Sequence, residues 1–405
     1  MKKVVLLLVV MAISAGIISR SSAAESEKKA VLSQKTYEHL IEVHRLIEEK
    51  QVPEALQMLD VLLPELEGKS YETAVIHQTY GYAYIGIDDF SKAITSFEAA
   101  LTLDVLPEAP ALRILYDLAQ LYVSIERYEL GAEAVERWLL KTSAPTPEAH
   151  ALAASAYIPL NRFFRAIPHL KEAISLSQKP IETWYQSLLA LHYELNDYSE
   201  AVRLLETIIL NFPDNPVYWS QLSSLYLTLK EDAKGLAILE LAYMKGFLKE
   251  KELVLLANLY QYQEVPHKAG ILLEGGIKKG TIKPTREHWE NLSNAWFQAK
   301  ELDRAVKALK RAAELSDDGK LDVRRGTLLV ELERWEEAVQ ALEAGLSKGG
   351  LEETGRAHLL LGIASNALGH PERAISSFID AKASPDTRKS ATQWLTFLSI
   401  EKRSE

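Results

Sequence analysis

The groups in this sequence best suited to chemistry are ten histidines, 56 carboxylates and seven tryptophans. Their spacing assembles none of them into a catalytic set. There is no H-E-x-x-H pair to hold zinc, no glycine-rich loop to cradle phosphates and no G-x-S-x-G elbow to present a nucleophilic serine. Gly275-Gly276 and Gly349-Gly350 are expected at helix ends, as turn signals rather than ligand cradles. His150 and His169 are close enough in sequence to approach one another, but two histidines are more simply a paired surface feature than a metal site. Trp184, Trp219, Trp289, Trp335 and Trp394 recur at packing positions, so they are expected in the core rather than in a ligand cage. No pair of carboxylates stands out from the rest. The sequence therefore predicts no enzyme, no cofactor and no metal.

Composition narrows the classes further. The formal net charge is −10, and removal of Lys2, Lys3 and Arg20 with an N-terminal segment would leave −13. Such an acidic chain is biased against a nucleic-acid groove, which needs clustered Lys and Arg, and against an anionic membrane surface. The absence of cysteine excludes disulfides, thiolate metal sites, a cysteine nucleophile and lipidation of an N-terminal cysteine. Apolar residues make up 47%, enough for a continuous core.

The elements that would carry any functional group are helices. In the stretch from Ile76 to Leu101, Tyr80, Gly81 and Tyr84 share one helical face, and Ala93, Phe97 and Ala100 share another. Ile87-Asp88-Asp89 makes the turn between them. Small residues at Gly81 and Ala93 allow the two backbones to approach. The pattern recurs, indexed by a small residue early in each second helix: Ala55, Ala93, Gly131, Ala166, Ala201, Gly235, Ala269, Ala305, Ala338 and Ala374. The steps are 38, 38, 35, 35, 34, 34, 36, 33 and 36 residues. Four residues after each index stands a large apolar group, among them Leu59, Phe97, Leu205, Leu342 and Phe378.

This pattern resembles the tetratricopeptide repeat, a helix–turn–helix unit of about 34 residues. The resemblance implies an all-α fold: a right-handed superhelical solenoid of about ten helix pairs with a C-terminal capping helix. The expected organisation is a signal peptide over 1–24, a mobile lead-in over 25–34, the solenoid over 35–385 and a capping helix and tail over 386–405. Trp394, Leu395 and Leu398 would cover the last repeat. Pro168 falls inside a second helix and is expected to bend it. Arg325 replaces the usual large apolar residue and is expected to mark a looser joint.

Lys2-Lys3, the apolar run from Val4 to Ser19 and the small residues Ser22-Ala23-Ala24 read as a cleavable secretory signal with Glu25 as the first mature residue. Sixteen residues fall short of the roughly 20 needed to span a bilayer, so stable membrane insertion is not expected. This predicts a periplasmic protein.

The resemblance also implies where function lies, because first helices line the concave face of such repeats. Residues one place after the small residue of the first helix would point inward: Tyr82, Gln120, Ser155, Ala190, Ser224, Asn258, Asn294, Thr327 and Ile363. A row of amides and hydroxyls can hydrogen-bond the backbone of an extended peptide. The expected peptide-binding residues are Tyr82, Tyr116, Gln120, Gln186, Tyr193, Asn258, Gln261, Glu290 and Asn294. Solvated polar groups on an exposed face are the plainer alternative. Arg113, Lys251 and Arg356 are too dispersed to clamp a terminal carboxylate.

The stretches 115–131, 179–198, 300–321 and 332–339 are similar to bacterial repeat proteins associated with the TonB–ExbB–ExbD system, which transmits proton-motive force to outer-membrane receptors. That likeness implies a non-enzymatic periplasmic interaction scaffold serving TonB-dependent energy transduction and outer-membrane transport, with TonB, ExbB or ExbD as partners. The alternatives are a scaffold for envelope, peptidoglycan or outer-membrane assembly, or a regulatory subunit of a periplasmic enzyme.

Overall fold

A computed structural model of the chain describes residues 31–404, and within them every regular element is helical. The expected signal peptide and the start of the lead-in lie outside the described residues. Twenty helices follow one another as ten sequential helix–turn–helix pairs. In unit order these are α1 (Gln34–Glu48) with α2 (Val52–Leu62), α3 (Ser70–Gly86) with α4 (Phe90–Thr102), and α5 (Glu108–Ser124) with α6 (Tyr128–Lys141). Then follow α7 (Pro147–Tyr157) with α8 (Phe163–Leu176), α9 (Glu182–Glu194) with α10 (Tyr198–Asn211), and α11 (Pro216–Thr228) with α12 (Asp232–Met244). The series continues with α13 (Glu250–Tyr262) and α14 (Pro266–Lys279), α15 (Arg286–Gln298) and α16 (Leu302–Glu314), α17 (Lys320–Glu331) and α18 (Trp335–Lys348), and α19 (Gly355–Ala367) and α20 (Pro371–Ala383). A last helix, α21 (Arg388–Ser404), closes the series. None of the described helices is long and apolar enough to cross a membrane.

One turn geometry joins the two helices of every pair. Five residues before each index residue the backbone enters the left-handed region, at Lys50, Asp88, Glu126, Asn161, Asn196, Lys230, Glu264, Lys300, Glu333 and Gly369, with φ between 53° and 75°. The next residue donates its N–H to the carbonyl five places back, as Asp89 does to Tyr84 at 3.0 Å and Arg334 to Leu329 at 2.9 Å. This six-to-one bond satisfies a carbonyl that the helix end leaves free. The second helix then starts at once. Asp89 and Asp197 cap it with their side chains, accepting from the N–H groups of Lys92 and Glu200.

The small residues do what their spacing predicts. A Cβ placed on Gly81 would lie 2.2 Å from the ring of Phe97, and one on Gly362 would lie 2.5 Å from Phe378. The same contact recurs between Gly326 and Leu342. Where serine replaces glycine at this position it is buried and hydrogen-bonded: Ser223 and Ser293 donate to the carbonyls of Gly235 and Ala305, each at 2.9 Å.

The chain divides after Leu191 into two compact units. In the first, one core lies around Leu40, Val43, Leu59 and Ile76, and a second around Phe97, Ile114, Leu118 and Val135. In the second unit a long core runs from Leu239 to Ala364 and includes Trp296. At its end Ala374, Phe378 and Leu398 form a small cluster, with Trp394 and Leu395 packed on it. The ring of Trp394 stacks on Phe378 at 5.4 Å, so α21 covers the last pair as expected. Trp219 is buried; Trp289 and Trp335 pack against the long core from partly exposed positions.

Consecutive pairs are joined by a second recurrent contact. A tyrosine on a first helix donates to a carboxylate on the preceding second helix: Tyr80 to Asp60 (2.5 Å), Tyr122 to Glu98, Tyr157 to Glu136 (2.8 Å), Tyr226 to Glu206 (2.5 Å) and Tyr260 to Glu240 (2.7 Å). Burial, reinforced by the carboxylate, holds these phenols protonated; Tyr157 and Tyr226 are pushed up to about 12.

Arg325 does not loosen its joint. Its guanidinium is nearly buried beside Asp322 at 3.5 Å, and Lys348 of α18 reaches the same carboxylate at 2.8 Å. Lys348 also donates to the carbonyl of Ala313 at 2.6 Å. An ion-paired plug replaces the apolar one. Helix α8 runs on through Pro168, which removes the N–H that would have bonded the carbonyl of Phe164.

Two stability changes follow. Phe97→Ala empties a fully buried site and should destabilise by about 3–5 kcal/mol in equilibrium denaturation; a loss below about 1 kcal/mol would mean that Phe97 does not hold the helix crossing. Glu333 is an exposed non-glycine residue at φ 55°. Glu333→Gly should stabilise by about 0.5–1 kcal/mol, because the relief of left-handed strain exceeds the entropy glycine adds to the unfolded chain. Gly369→Ala, at φ 75°, should shift the same measurement the other way.

Candidate peptide-binding face

The first helices present the sequence-predicted residues as half-buried or exposed groups, and most of them are already hydrogen-bonded. Tyr82 on α3 donates to Asp117 on α5 at 2.9 Å, with Arg113 3.5 Å from the same carboxylate. Burial raises the Asp117 carboxyl above its usual range, against the opposing pull of Tyr82 and Arg113. Tyr116 packs its ring on Trp138 at 5.1 Å and is hydrogen-bonded to Gln120, while burial raises its phenol. Gln186 lies exposed on α9.

Farther along, Asn291 on α15 bridges two predicted residues of α13. Its amide donates to Asn258 and accepts from Gln261, both at 2.7 Å. Arg324 on α17 likewise reaches back to two residues of α15, Asn294 at 2.5 Å and Glu290 at 3.3 Å. The structure thus brings Asn258 together with Gln261, and Glu290 with Asn294, each through a residue the sequence reading missed. Asp117, Asn291 and Arg324 lie 30 to 35 residues beyond their partners. A search for polar residues one repeat apart would have found them.

Tyr193 is different. It lines an open cavity of about 570 Å³ built on α11. Tyr193 meets Tyr198 edge-on at 6.5 Å, and burial raises the Tyr193 phenol. Pro216, Val217 and Leu225 supply apolar wall, Ser220 and Ser224 supply hydroxyls, and Phe247 and Lys249 close one side. Gln221 also lines it, and its side-chain carbonyl oxygen is buried without a hydrogen-bond partner. An orphaned acceptor of this kind costs about 1–3 kcal/mol until something donates to it. Of the nine predicted residues, Tyr193 alone lines this cavity.

His150 and His169 do approach. Their Nδ1 atoms are 3.0 Å apart, His169 Nε2 is 3.1 Å from Glu136, and the His169 ring stacks on Tyr157 at 5.9 Å. His169 Nε2–H donates to Glu136 in the arrangement that satisfies all three groups, leaving one Nδ1–H shared between the rings. A second added proton would set two N–H groups face to face. Among the described residues no group of three His, Cys, Asp or Glu side chains is arranged to hold a metal ion.

The repeat geometry is that of the tetratricopeptide repeat, and the family model of that description matches residues 81–150 and 323–386. The described residues have the tetratricopeptide-repeat solenoid fold, followed by a C-terminal helix. No curated protein matches the sequence. Among solved structures, a tetratricopeptide repeat protein from Parabacteroides merdae is similar at 16% identity over 62% of this chain and 98% of its own, with a TM-score of 0.32. YrrB, a repeat protein with an unusual peptide-binding site, is similar at 17% identity over 44% of this chain and 87% of its own (TM-score 0.35). The APC/C hetero-tetramer Cut9–Hcn1 is similar at 13% identity over 91% of this chain and 78% of its own (TM-score 0.28).

The histidine pair makes a pH prediction. Burial, with the neighbouring His169, lowers the pKa of His150, against the pull of Glu172 and Glu136; burial lowers that of His77. A base whose folded pKa is depressed binds more protons unfolded, so its contribution is intact above its unfolded value and is lost as the pH falls below it. The thermal midpoint should therefore drop between pH about 7 and about 5, above the carboxylate range. His150→Asn should flatten that slope in a pH series of melts. An unchanged slope would remove the histidine pair as its source.

Proposed function

We propose that this chain is a non-enzymatic scaffold that holds an extended peptide segment of a partner protein against its first helices, centred on the cavity over α11. Proteins of this repeat class act as protein–protein interaction scaffolds. The observation that carries the assignment is the orphaned oxygen of Gln221 in an aromatic-walled cavity. A peptide N–H donates to that oxygen once the Gln221 side chain turns its buried amide into the cavity, while Tyr193, Tyr198 and Phe247 take the flanking side chains. The Asn258–Asn291–Gln261 and Glu290–Arg324–Asn294 bridges continue the polar face. A bound backbone must exchange bonds with these groups rather than find them free.

The proposal includes export to the periplasm, on the strength of Lys2-Lys3, the apolar run to Ser19 and Ser22-Ala23-Ala24. It takes components of the TonB–ExbB–ExbD system as the partners, on the sequence likeness at 115–131, 179–198, 300–321 and 332–339. Envelope assembly, or regulation of a periplasmic enzyme, are the readings that remain if those partners fail.

Pull-down from the native host tests both parts. Purified protein should begin at Glu25, fractionate with periplasmic contents and recover TonB, ExbB or ExbD. Titration of the recovered partner should show Tyr193→Ala weakening binding roughly tenfold, about 1.4 kcal/mol, and Asn258→Ala with Asn294→Ala weakening it by about 0.5–1.5 kcal/mol for each lost contact. Absence of all three partners retires the transduction role. Recovery with unchanged affinity in Tyr193→Ala retires the cavity.

A further inference from the structure

We propose that the groove between second helices α6 and α8 is a separate docking site for an acidic peptide segment of a partner protein, held by Arg162 and Arg165. In four other repeats the cation just before the index residue lies over the aromatic ring of the first helix: Lys92 over Tyr84, Lys234 over Tyr226, Lys268 over Tyr260 and Arg304 over Trp296. In the groove between α12 and α14 that cation is also neutralised, since Lys268 Nζ is 2.9 Å from Glu240.

The groove between α6 and α8 has the same parts in a different arrangement. Arg165 holds the position of Lys268, Tyr157 that of Tyr260 and Glu136 that of Glu240. Here His169 stacks on the Tyr157 ring, and Glu136 accepts from both Tyr157 and His169. Among the described residues neither the side chain of Arg165 nor that of Arg162, four residues before the index, has a hydrogen-bond or ion-pair partner. Both guanidiniums are exposed and line one open cavity of about 500 Å³ with Glu136, Tyr157 and Leu140.

Charge and apolarity select the occupant. Two unpaired guanidiniums on a chain of net charge −10 are a local inversion of sign, and a guanidinium binds carboxylate through paired N–H groups. Leu140 on the rim is 84% exposed, and Phe164, next to Arg165, is 80% exposed. Carboxylates with an interspersed apolar side chain fit this surface. The Glu136 carboxylate does not oppose them at full strength, because two donors already hold it.

The test is fluorescence anisotropy on the mature chain, with the labelled peptide Glu-Glu-Leu-Glu-Glu-Leu and its glutamine counterpart Gln-Gln-Leu-Gln-Gln-Leu. The acidic peptide should bind more tightly and lose affinity as salt rises from about 0.05 M to about 0.3 M. Arg162→Glu with Arg165→Glu should weaken it roughly tenfold or more. Leu140→Ser, at an exposed position that the fold does not need, should weaken it severalfold. Tyr193→Ala should leave it unchanged, which separates this groove from the cavity over α11. Equal binding of the two peptides overturns the proposal, as does full affinity in a folded charge-reversed variant. So does a loss confined to Tyr193→Ala, which would put the acidic peptide in the cavity over α11.

Discussion

Every helix pair here depends on one backbone event, a single left-handed residue followed by an N–H that reaches back five places. That bond sets where the first helix stops and where the second begins, and so fixes the register of small against large residues. If the second helix started one residue later, its apolar stripe would rotate by about 100°. Phe97 would then lose the hollow that Gly81 leaves for it. Nine of the ten left-handed residues are not glycine, so the turn is held against its own preference by the packing it organises. Strain in the turns and burial at the crossings are two sides of one arrangement.

The repeats were legible because their signal is covalent spacing. The index residues from Ala55 to Ala374, the large residues four places on and the final cover of Trp394, Leu395 and Leu398 all follow from helical periodicity. The joints between repeats were less legible. Arg325 looked like a defect because its compensating partners, Asp322 and Lys348, are polar and sit on two helices. The polar row of the first helices can be read from the repeat spacing, but its hydrogen bonds run from one repeat to the next, and residue type alone does not say whether an amide is open or engaged. Tyr193 could be named from sequence. The orphaned oxygen of Gln221 could not, since an unmet bond is visible only when every neighbour has been placed.

The two faces handle polarity in opposite ways. On the first helices, amides and charges are shared between neighbours: Asn291 serves two residues, and so does Arg324. A ligand there competes with existing bonds, which favours one that brings both donors and acceptors, as a peptide backbone does. In the groove between α6 and α8, one histidine changes the account. His169 takes the ring face of Tyr157 and a lone pair of Glu136, and Arg162 stands where Asp89 and Glu231 pair with the cation in other repeats, so Arg165 is left without the partners its counterparts use. Small departures from a repeat consensus can thus act at a distance of one side chain, on a group that is itself unremarkable in the sequence.

The tyrosine–carboxylate contacts have a mechanical side. They tie Tyr80 to Asp60, Tyr122 to Glu98, Tyr157 to Glu136, Tyr226 to Glu206 and Tyr260 to Glu240, and in each the tyrosine is buried. Beyond Tyr260 the first helices carry Trp296, Leu329 and Ser365 at the tyrosine's place, and the links between repeats are exposed ion pairs: Arg324 with Glu290, Arg334 with Asp303, Arg373 with Glu343. Pairs of that kind are weak and screened. Rising ionic strength therefore weakens the ion-paired share of each C-terminal joint, while the apolar core that runs through those repeats is left intact.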